Sequence, residues 1–251
     1  MWLPSCWAAH AFAQFGDIKY PANFKFFEYV NPQAPKGGEL VLVPPSRVTS
    51  FDKFNPFTLK GTSAPGLGQL VFESLLVGTM DEPTTAYGLL AEDVSVASDK
   101  KSVVFKIRAN ARFNNHDPVT ASDVKHSFDT LVSKEAAPQF RTLYAEVAGV
   151  NVLDTRTVRF DFKRPNPELP LIVGAMPVFS ARWGQQEGAP RKPFDKIITE
   201  FPIASGPYVA GTTVFGRDIS YDRNPDYWGR ELNVRVGMFN FDRITYRLYK
   251  D

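Results

Sequence analysis

The sequence contains few of the residues that build redox or metal sites. Its single cysteine, Cys6, excludes an internal disulfide and any site held by several thiolates. The three histidines are His10, His116 and His126, and their spacing matches no common zinc motif. We therefore expect neither a bound metal nor another cofactor.

Charge excess, long apolar runs and catalytic motifs are also missing. The formal net charge is only +2, which gives no electrostatic basis for a nucleic-acid partner. No run approaches the roughly 18 consecutive apolar residues of a membrane-spanning helix. The glycines of residues 61–66 have phosphate-loop spacing, but Leu67 stands where that motif requires lysine. No G-x-S-x-G motif occurs either, so the sequence predicts a binding protein rather than an enzyme.

What the sequence does contain is 20 prolines and 21 phenylalanines, which indicate fixed turns and large apolar anchors in an ordered chain. Residues 1–13 carry no Lys, Arg, Asp or Glu and end in Ala11-Phe12-Ala13. That ending has the small-x-small pattern of a signal-peptidase site, so we predict the remnant of a signal peptide, cleaved after Ala13. The alternative is an uncharged tail without a function.

Hydrophobic patterning predicts a mixed α/β domain. A helix is expected to begin after Thr120, because Thr120 and Asp123 have the spacing of a capping box. Residues 67–77 have apolar spacing that favours a buried helix. Strands are predicted at residues 38–43 (buried), 102–108, 147–153, 157–163, 218–223 and 244–249.

A long loop without regular structure is predicted at residues 46–66. It contains Asn55-Pro56, Gly61 and Pro65, which disfavour helix and strand alike. Loops of this length in compact domains are often functional, so this loop is the first candidate for a site.

Residues 105–113 (Phe-Lys-Ile-Arg-Ala-Asn-Ala-Arg-Phe) and 118–124 (Pro-Val-Thr-Ala-Ser-Asp-Val) resemble the signature of the family 5 extracellular solute-binding proteins of ABC importers. The Asn-Pro-Gln-Ala-Pro-Lys-Gly-Gly run at 31–38 is similar to the Yej-type branch, which is associated with oligopeptides and microcin C. Further matching blocks follow in the same order at residues 51–57, 80–83, 87–92, 205–208, 224–229 and 239–244.

The resemblance implies a periplasmic-binding-protein type II fold, with residues 14–251 forming its first lobe only and the second lobe absent. It implies a monomeric periplasmic protein that captures oligopeptides and delivers them to an ABC permease in the inner membrane. Two alternatives stay open. The chain is a binder of a non-peptide solute, or it is a truncated fragment or pseudogene product that binds nothing.

The resemblance also implies the candidate ligand-binding residues. In the family the loop after the first core strand lines the cleft and pairs with an extended ligand through main-chain groups. Here that loop supplies Val48, Thr49, Ser50, Phe51 and Asp52.

His126 is the other candidate, because it occupies a helix position where some relatives present a ligand-contacting tyrosine. Its alternative is a half-buried helix histidine with a local hydrogen bond.

One departure from the family pattern concerns the turn before the capped helix. Where the family usually has Asp-Gly, this chain has Asn115-His116-Asp117. We therefore expect His116 to take a positive φ, a conformation that His tolerates better than β-branched residues do.

Overall fold

The computed structural model describes residues 9–44 and 48–249. The first residues of the predicted leader, including Cys6, lie outside the described residues. The α-helices are α1 (Leu67–Leu70), α2 (Ala121–Leu131), α3 (Pro138–Leu143) and α4 (Leu169–Gly174), with a 3₁₀ turn at Phe194–Lys196. The strands are β1 (Ala11–Ala13), β2 (Glu39–Leu42), β3 (Glu73–Ser74), β4 (Leu76–Gly78), β5 (Thr85–Gly88), β6 (Ala91–Val96), β7 (Ser102–Ile107), β8 (Val147–Val152), β9 (Thr157–Phe162), β10 (Pro177–Val178), β11 (Tyr208–Val214), β12 (Asp218–Arg223) and β13 (Arg243–Arg247).

An antiparallel sheet in the order β6-β7-β9-β8 forms one half of the domain. Val103, Phe105 and Ile107 alternate along β7 and are completely buried, as their spacing predicts. Helix α2 packs against β8 and β9 and begins with the predicted capping box, in which Thr120 and Asp123 exchange hydrogen bonds. The predicted helix start is confirmed, as are the predicted strands at residues 147–153 and 157–163, which pair antiparallel as β8 and β9.

A second sheet has the order β11-β12-β13-β2. Its strands are antiparallel except for β2, which pairs parallel to β13. The prediction of a buried strand at residues 38–43 is wrong in its burial, because β2 lies at the edge of this sheet. Val41 and Val43 are 46% and 63% exposed.

A smaller sheet, β1-β5-β4, carries the N-terminal residues. Ala11 is buried, and Gly88 donates a hydrogen bond to the carbonyl of His10 (2.8 Å). Beneath this sheet a second, small core contains Tyr20, Phe27 and Tyr87. Residues 9–13 therefore have a place in the folded domain.

The predicted helix at residues 67–77 is wrong beyond Leu70, where α1 ends and β3 and β4 follow. The carbonyl of Val71 accepts from the amide of Gly206 (2.8 Å) instead of from a following helical turn. A Cβ on Gly206 would lie 2.4 Å from that oxygen, so only glycine permits this approach. Contact with a distant segment ends the helix.

Two further expectations concern backbone conformation and membrane spans. His116 has φ 68°, which confirms the positive φ predicted for it. In the described part of the chain, no helix is long and apolar enough to cross a membrane.

Candidate functional site

The loop at residues 48–66 is fastened to the domain by three phenylalanines. Phe51, Phe54 and Phe57 are all buried. Phe51 packs against Phe215 with ring centroids 5.4 Å apart, and Phe57 stacks on Phe179 at 5.5 Å. The spacing of these anchors explains why a loop without regular structure has a fixed shape.

Main-chain groups in the middle of the loop are used inside the protein. The carbonyl of Phe51 accepts from Gly216 (3.0 Å), and the amide of Asp52 donates to Thr62 (3.0 Å). The Asp52 carboxylate accepts the amide of Thr62 (2.8 Å). Phe51 and Asp52, two of the predicted ligand contacts, therefore hold the loop in place.

Lys53 fixes the next part of the loop from within. The residue is buried, and its ammonium group donates to the carbonyl and hydroxyl of Thr58 (both 2.8 Å) and to the carbonyl of Lys60 (2.5 Å). Burial lowers the pKa of Lys53, and nearby Asp52 acts in the opposite direction. The ammonium group of Lys53 thus holds the turn at residues 53–60 together through these three hydrogen bonds.

The beginning of the loop differs from its middle. Thr49 and Ser50 are exposed, and Val48 is half-buried. Among the described residues, none forms a hydrogen bond with the main chain of Val48, Thr49 or Ser50. Within the described part of the chain, these amides and carbonyls are therefore not used by other groups.

Val48 also lines a cavity of about 350 Å³. Tyr246 of β13 forms part of its wall, together with residues 63–69 at the start of α1. Gly66 has φ 85°, and a Cβ there would lie 2.5 Å from the Tyr246 ring. Residues 63–66 belong to the predicted candidate loop, whereas no signal in the sequence indicated Tyr246 or residues 67–69 as part of a site.

His126 lies in a different crevice, lined by Phe179, Trp183 and Arg191 among others. This crevice has only about 10 Å³ of free space, which is no more than roughly one water molecule needs. The ring meets Phe179 edge-on at 5.9 Å, and Nε2 lies 3.5 Å from the Thr130 hydroxyl. The geometry favours the alternative of a half-buried helix histidine.

Burial and the charge of Arg191 lower the pKa of His126, while Asp123 and Asp129 act in the opposite direction. The crevice around His126 and the cavity beside Val48 share no lining residue. The structure therefore does not bring His126 to the loop at 48–52. Ligand contact by His126 stays a prediction.

Metal binding has no support in the described residues, since no three His, Cys, Asp or Glu side chains cluster there. The arrangement at residues 48–50 is instead an exposed, unpaired stretch of main chain beside a cavity. Such a stretch can bind an extended chain by adding main-chain hydrogen bonds.

Comparisons with known proteins bear on the family and the fold of the chain. A family model described as bacterial extracellular solute-binding proteins, family 5 Middle, matches residues 85–251. The "Uncharacterized protein y4wM" of Sinorhizobium fredii is 43% identical over 238 residues, which are 94% of this chain and 35% of that protein. The "Probable peptide-binding protein YejA" of Agrobacterium fabrum is 39% identical over 239 residues, or 94% of this chain and 38% of that protein.

A solved structure also resembles the described fold. The substrate-binding domain of an oligopeptide ABC transporter from Bacillus anthracis superposes with a TM-score of 0.65 at 17% identity. The match covers 84% of this chain and 41% of that one. At this identity the likeness concerns the fold alone.

Proposed function

Because this chain belongs to the bacterial extracellular solute-binding proteins of family 5, we propose that it supplies part of the site with which such a protein captures oligopeptides for uptake by an ABC importer. The predicted fold is confirmed: the chain has the mixed α/β architecture of the type II periplasmic-binding proteins and represents part of their first lobe. The predicted similarity to the Yej-type branch is confirmed as well.

The main chain of Val48, Thr49 and Ser50, which makes no hydrogen bond to another described residue, carries this proposal. A peptide ligand offers the complementary row of amides and carbonyls, whatever its side chains are. Pairing through main-chain groups therefore suits a protein that accepts many peptide sequences. The adjacent cavity beside Tyr246 has room for a side chain of about Phe size or larger.

The relatives give independent support for a peptide as the solute. The Agrobacterium relative at 39% identity is named as a probable peptide-binding protein. Family 5 members are solute-binding proteins, and binding without chemistry agrees with the lack of catalytic motifs in this sequence.

Location and partners follow from the same proposal. We propose a monomer in the periplasm that passes its ligand to an ABC permease in the inner membrane. The chain spans 35% and 38% of the length of the two relatives. In our proposal it forms one wall of a site that a second lobe closes, which places the affinity of this chain alone in the millimolar range, about a thousandfold weaker than a micromolar closed site.

A titration followed by NMR tests the proposal. The ¹⁵N-labelled chain is titrated with trialanine and, in parallel, with glucose as a non-peptide solute. We expect the amide signals of Thr49 and Ser50 to shift with trialanine and not with glucose. No shift at residues 48–50 with the peptide, or shifts with glucose alone, would contradict it.

A further inference from the structure

A second cavity, of about 110 Å³, lies where the segments around residues 36, 223–230 and 235–239 meet. Four cationic side chains line it: Lys36, Arg223, Arg230 and Arg235. No carboxylate is among its lining residues. None of these residues lines the cavity beside Val48, so the feature is separate from the proposed peptide site.

Carboxylates near the cavity neutralise this charge only in part. Arg235 pairs with buried Glu73 (3.0 Å), and Arg223 pairs with Asp242. Arg230 and Glu231 are 3.9 Å apart and mostly exposed, so their pairing is weak.

Lys36 donates only to neutral oxygens, the carbonyl of Met238 and the side-chain amide of Asn240 (both 2.6 Å). Burial and the charge of Arg223 lower the pKa of Lys36. An anion in the cavity would relieve this repulsion between cations.

Two of the arginines that line the cavity also carry a buried donor without an acceptor. The Nε atoms of Arg223 and Arg235 are buried and have no hydrogen-bond partner among the described residues. The Arg235 side chain is only 11% exposed. Buried guanidinium donors without an acceptor are unfavourable, and planar oxyanions are the groups that guanidinium donors match best.

Apart from Asn224 and Tyr227, the remaining lining residues are apolar, and one of them has an unusual backbone conformation. Phe239 has φ 54°, and its ring lies 5.2 Å from the guanidinium carbon of Arg235. Apolar walls strengthen the attraction between an anion and the arginines, because they keep water away. Compared with the His126 crevice, which has room for about one water molecule, this cavity has room for several, which is enough for a carboxylate or a phosphate group.

We propose that this cavity binds an oxyanion, either a carboxylate or a phosphate group, through the four cations that line it, Lys36, Arg223, Arg230 and Arg235. The oxygens of the ion would accept from the guanidinium groups that line the cavity and from the ammonium group of Lys36. The ion comes from a free metabolite or from the carboxylate end of a peptide, and both sources present the same chemistry.

Calorimetry of the chain with inorganic phosphate and with acetate, at low ionic strength, tests the proposal. Arg230→Gln and Lys36→Gln remove cavity charges at exposed positions, so both variants should fold, which their thermal midpoints check. We expect at least one anion to bind and each variant to weaken it by about tenfold. Arg217→Gln is the matched control, because Arg217 is 69% exposed against 67% for Arg230 and lies outside the cavity.

Binding of neither anion, or equal weakening by Arg217→Gln, would overturn the proposal. A competition experiment identifies the source of the oxyanion. If the carboxylate end of a peptide is the natural ligand, trialanine with a free carboxyl end displaces phosphate and amidated trialanine does not. Phosphate binding that neither peptide affects supports a free ion. This result is independent of the shifts at residues 48–50, so the two proposals fail separately.

Discussion

Glu73 is a carboxylate without access to water, and three neighbours compensate its charge. Its side chain is fully buried and pairs with Arg235 at 3.0 Å. Tyr227 donates its hydroxyl to the carboxylate, and Trp228 donates Nε1 at 3.0 Å. Burial and the charge of Glu73 hold the pKa of Tyr227 well above its usual range, so Tyr227 stays a donor.

Replacing Glu73 should therefore destabilise the protein strongly. Glu73→Ala leaves Arg235 buried without its partner, so we expect the free energy of unfolding to fall by about 3–5 kcal/mol. Urea denaturation followed by circular dichroism measures this. Glu231→Ala is the control, since Glu231 is 89% exposed and should change stability by no more than about 0.5 kcal/mol. Equal effects of the two substitutions would show that the Glu73 cluster does not stabilise the fold.

His126 makes a prediction about pH. Its folded-state pKa lies below the unfolded value of 6.5, because burial and Arg191 disfavour the charged ring. As the pH falls below 6.5, the unfolded chain binds a proton that the folded chain still resists, so stability is lost. His126→Gln should lose less stability than the unmodified chain between about pH 7 and 5. The free energy of unfolding is measured by urea denaturation at several pH values for both proteins. The same dependence on pH in His126→Gln and in the unmodified chain would refute this prediction.

At the scale of elements, the sequence predicts helices and strands most accurately when only one face of the element is buried. Strands β7 and β9 alternate buried and less buried residues, and α2 carries its own cap. Strand β5 has four buried residues in succession, so it shows no alternation and was missed. The same cause explains the error after Leu70, where Val71, Phe72, Leu75 and Leu76 are all buried.

The candidate sites were predictable only in part, because they join distant segments. The resemblance to family 5 pointed to residues 48–52. Only the structure shows that the main chain of Phe51 and Asp52 is hydrogen-bonded within the domain, whereas that of residues 48–50 is not bonded to a described residue. Tyr246 meets Gly66 across 180 positions of the sequence. The cationic cavity brings Lys36 to Arg223 and Arg235, and no local pattern indicates that meeting.

Strand β1 bears on how the protein is processed. Ala11–Ala13 pairs with β5, and the amide of Gln14 donates to Thr84 (2.9 Å). Cleavage after Ala13, as predicted from the Ala-Phe-Ala pattern, would remove this strand. We therefore propose that export removes only residues that precede Ala9.

Deletion of residues 1–13 tests the place of β1. Losing β1 exposes the edge of β5 and the buried ring of Tyr87, so we expect a lower thermal midpoint than for a control deletion of residues 1–8. Differential scanning calorimetry compares the two. Equal midpoints would favour the original cleavage point after Ala13.

At the scale of the whole molecule, the domain forms a wall in which residues 48–50 make no main-chain hydrogen bond to another described residue. Phe51, Phe54 and Phe57 fix the loop from below, and Lys53 closes it from within. Val48, Thr49 and Ser50 make no main-chain hydrogen bond to another described residue, and the same holds for Leu59, Gly61 and Ser63 further along the loop. A wall of this kind selects a peptide backbone and leaves side-chain choice to the rest of the site.

The most direct test of this account compares two substitutions at Ser50 in the trialanine titration. Ser50→Pro removes the amide hydrogen, whereas Ser50→Ala removes only the hydroxyl and keeps the main chain. The account predicts that Ser50→Pro weakens binding by ~1 kcal/mol, roughly fivefold, and that Ser50→Ala leaves it unchanged. Circular dichroism confirms that both variants are folded. Unchanged binding by the folded Ser50→Pro chain, or an equal loss with Ser50→Ala, would contradict main-chain recognition at this loop.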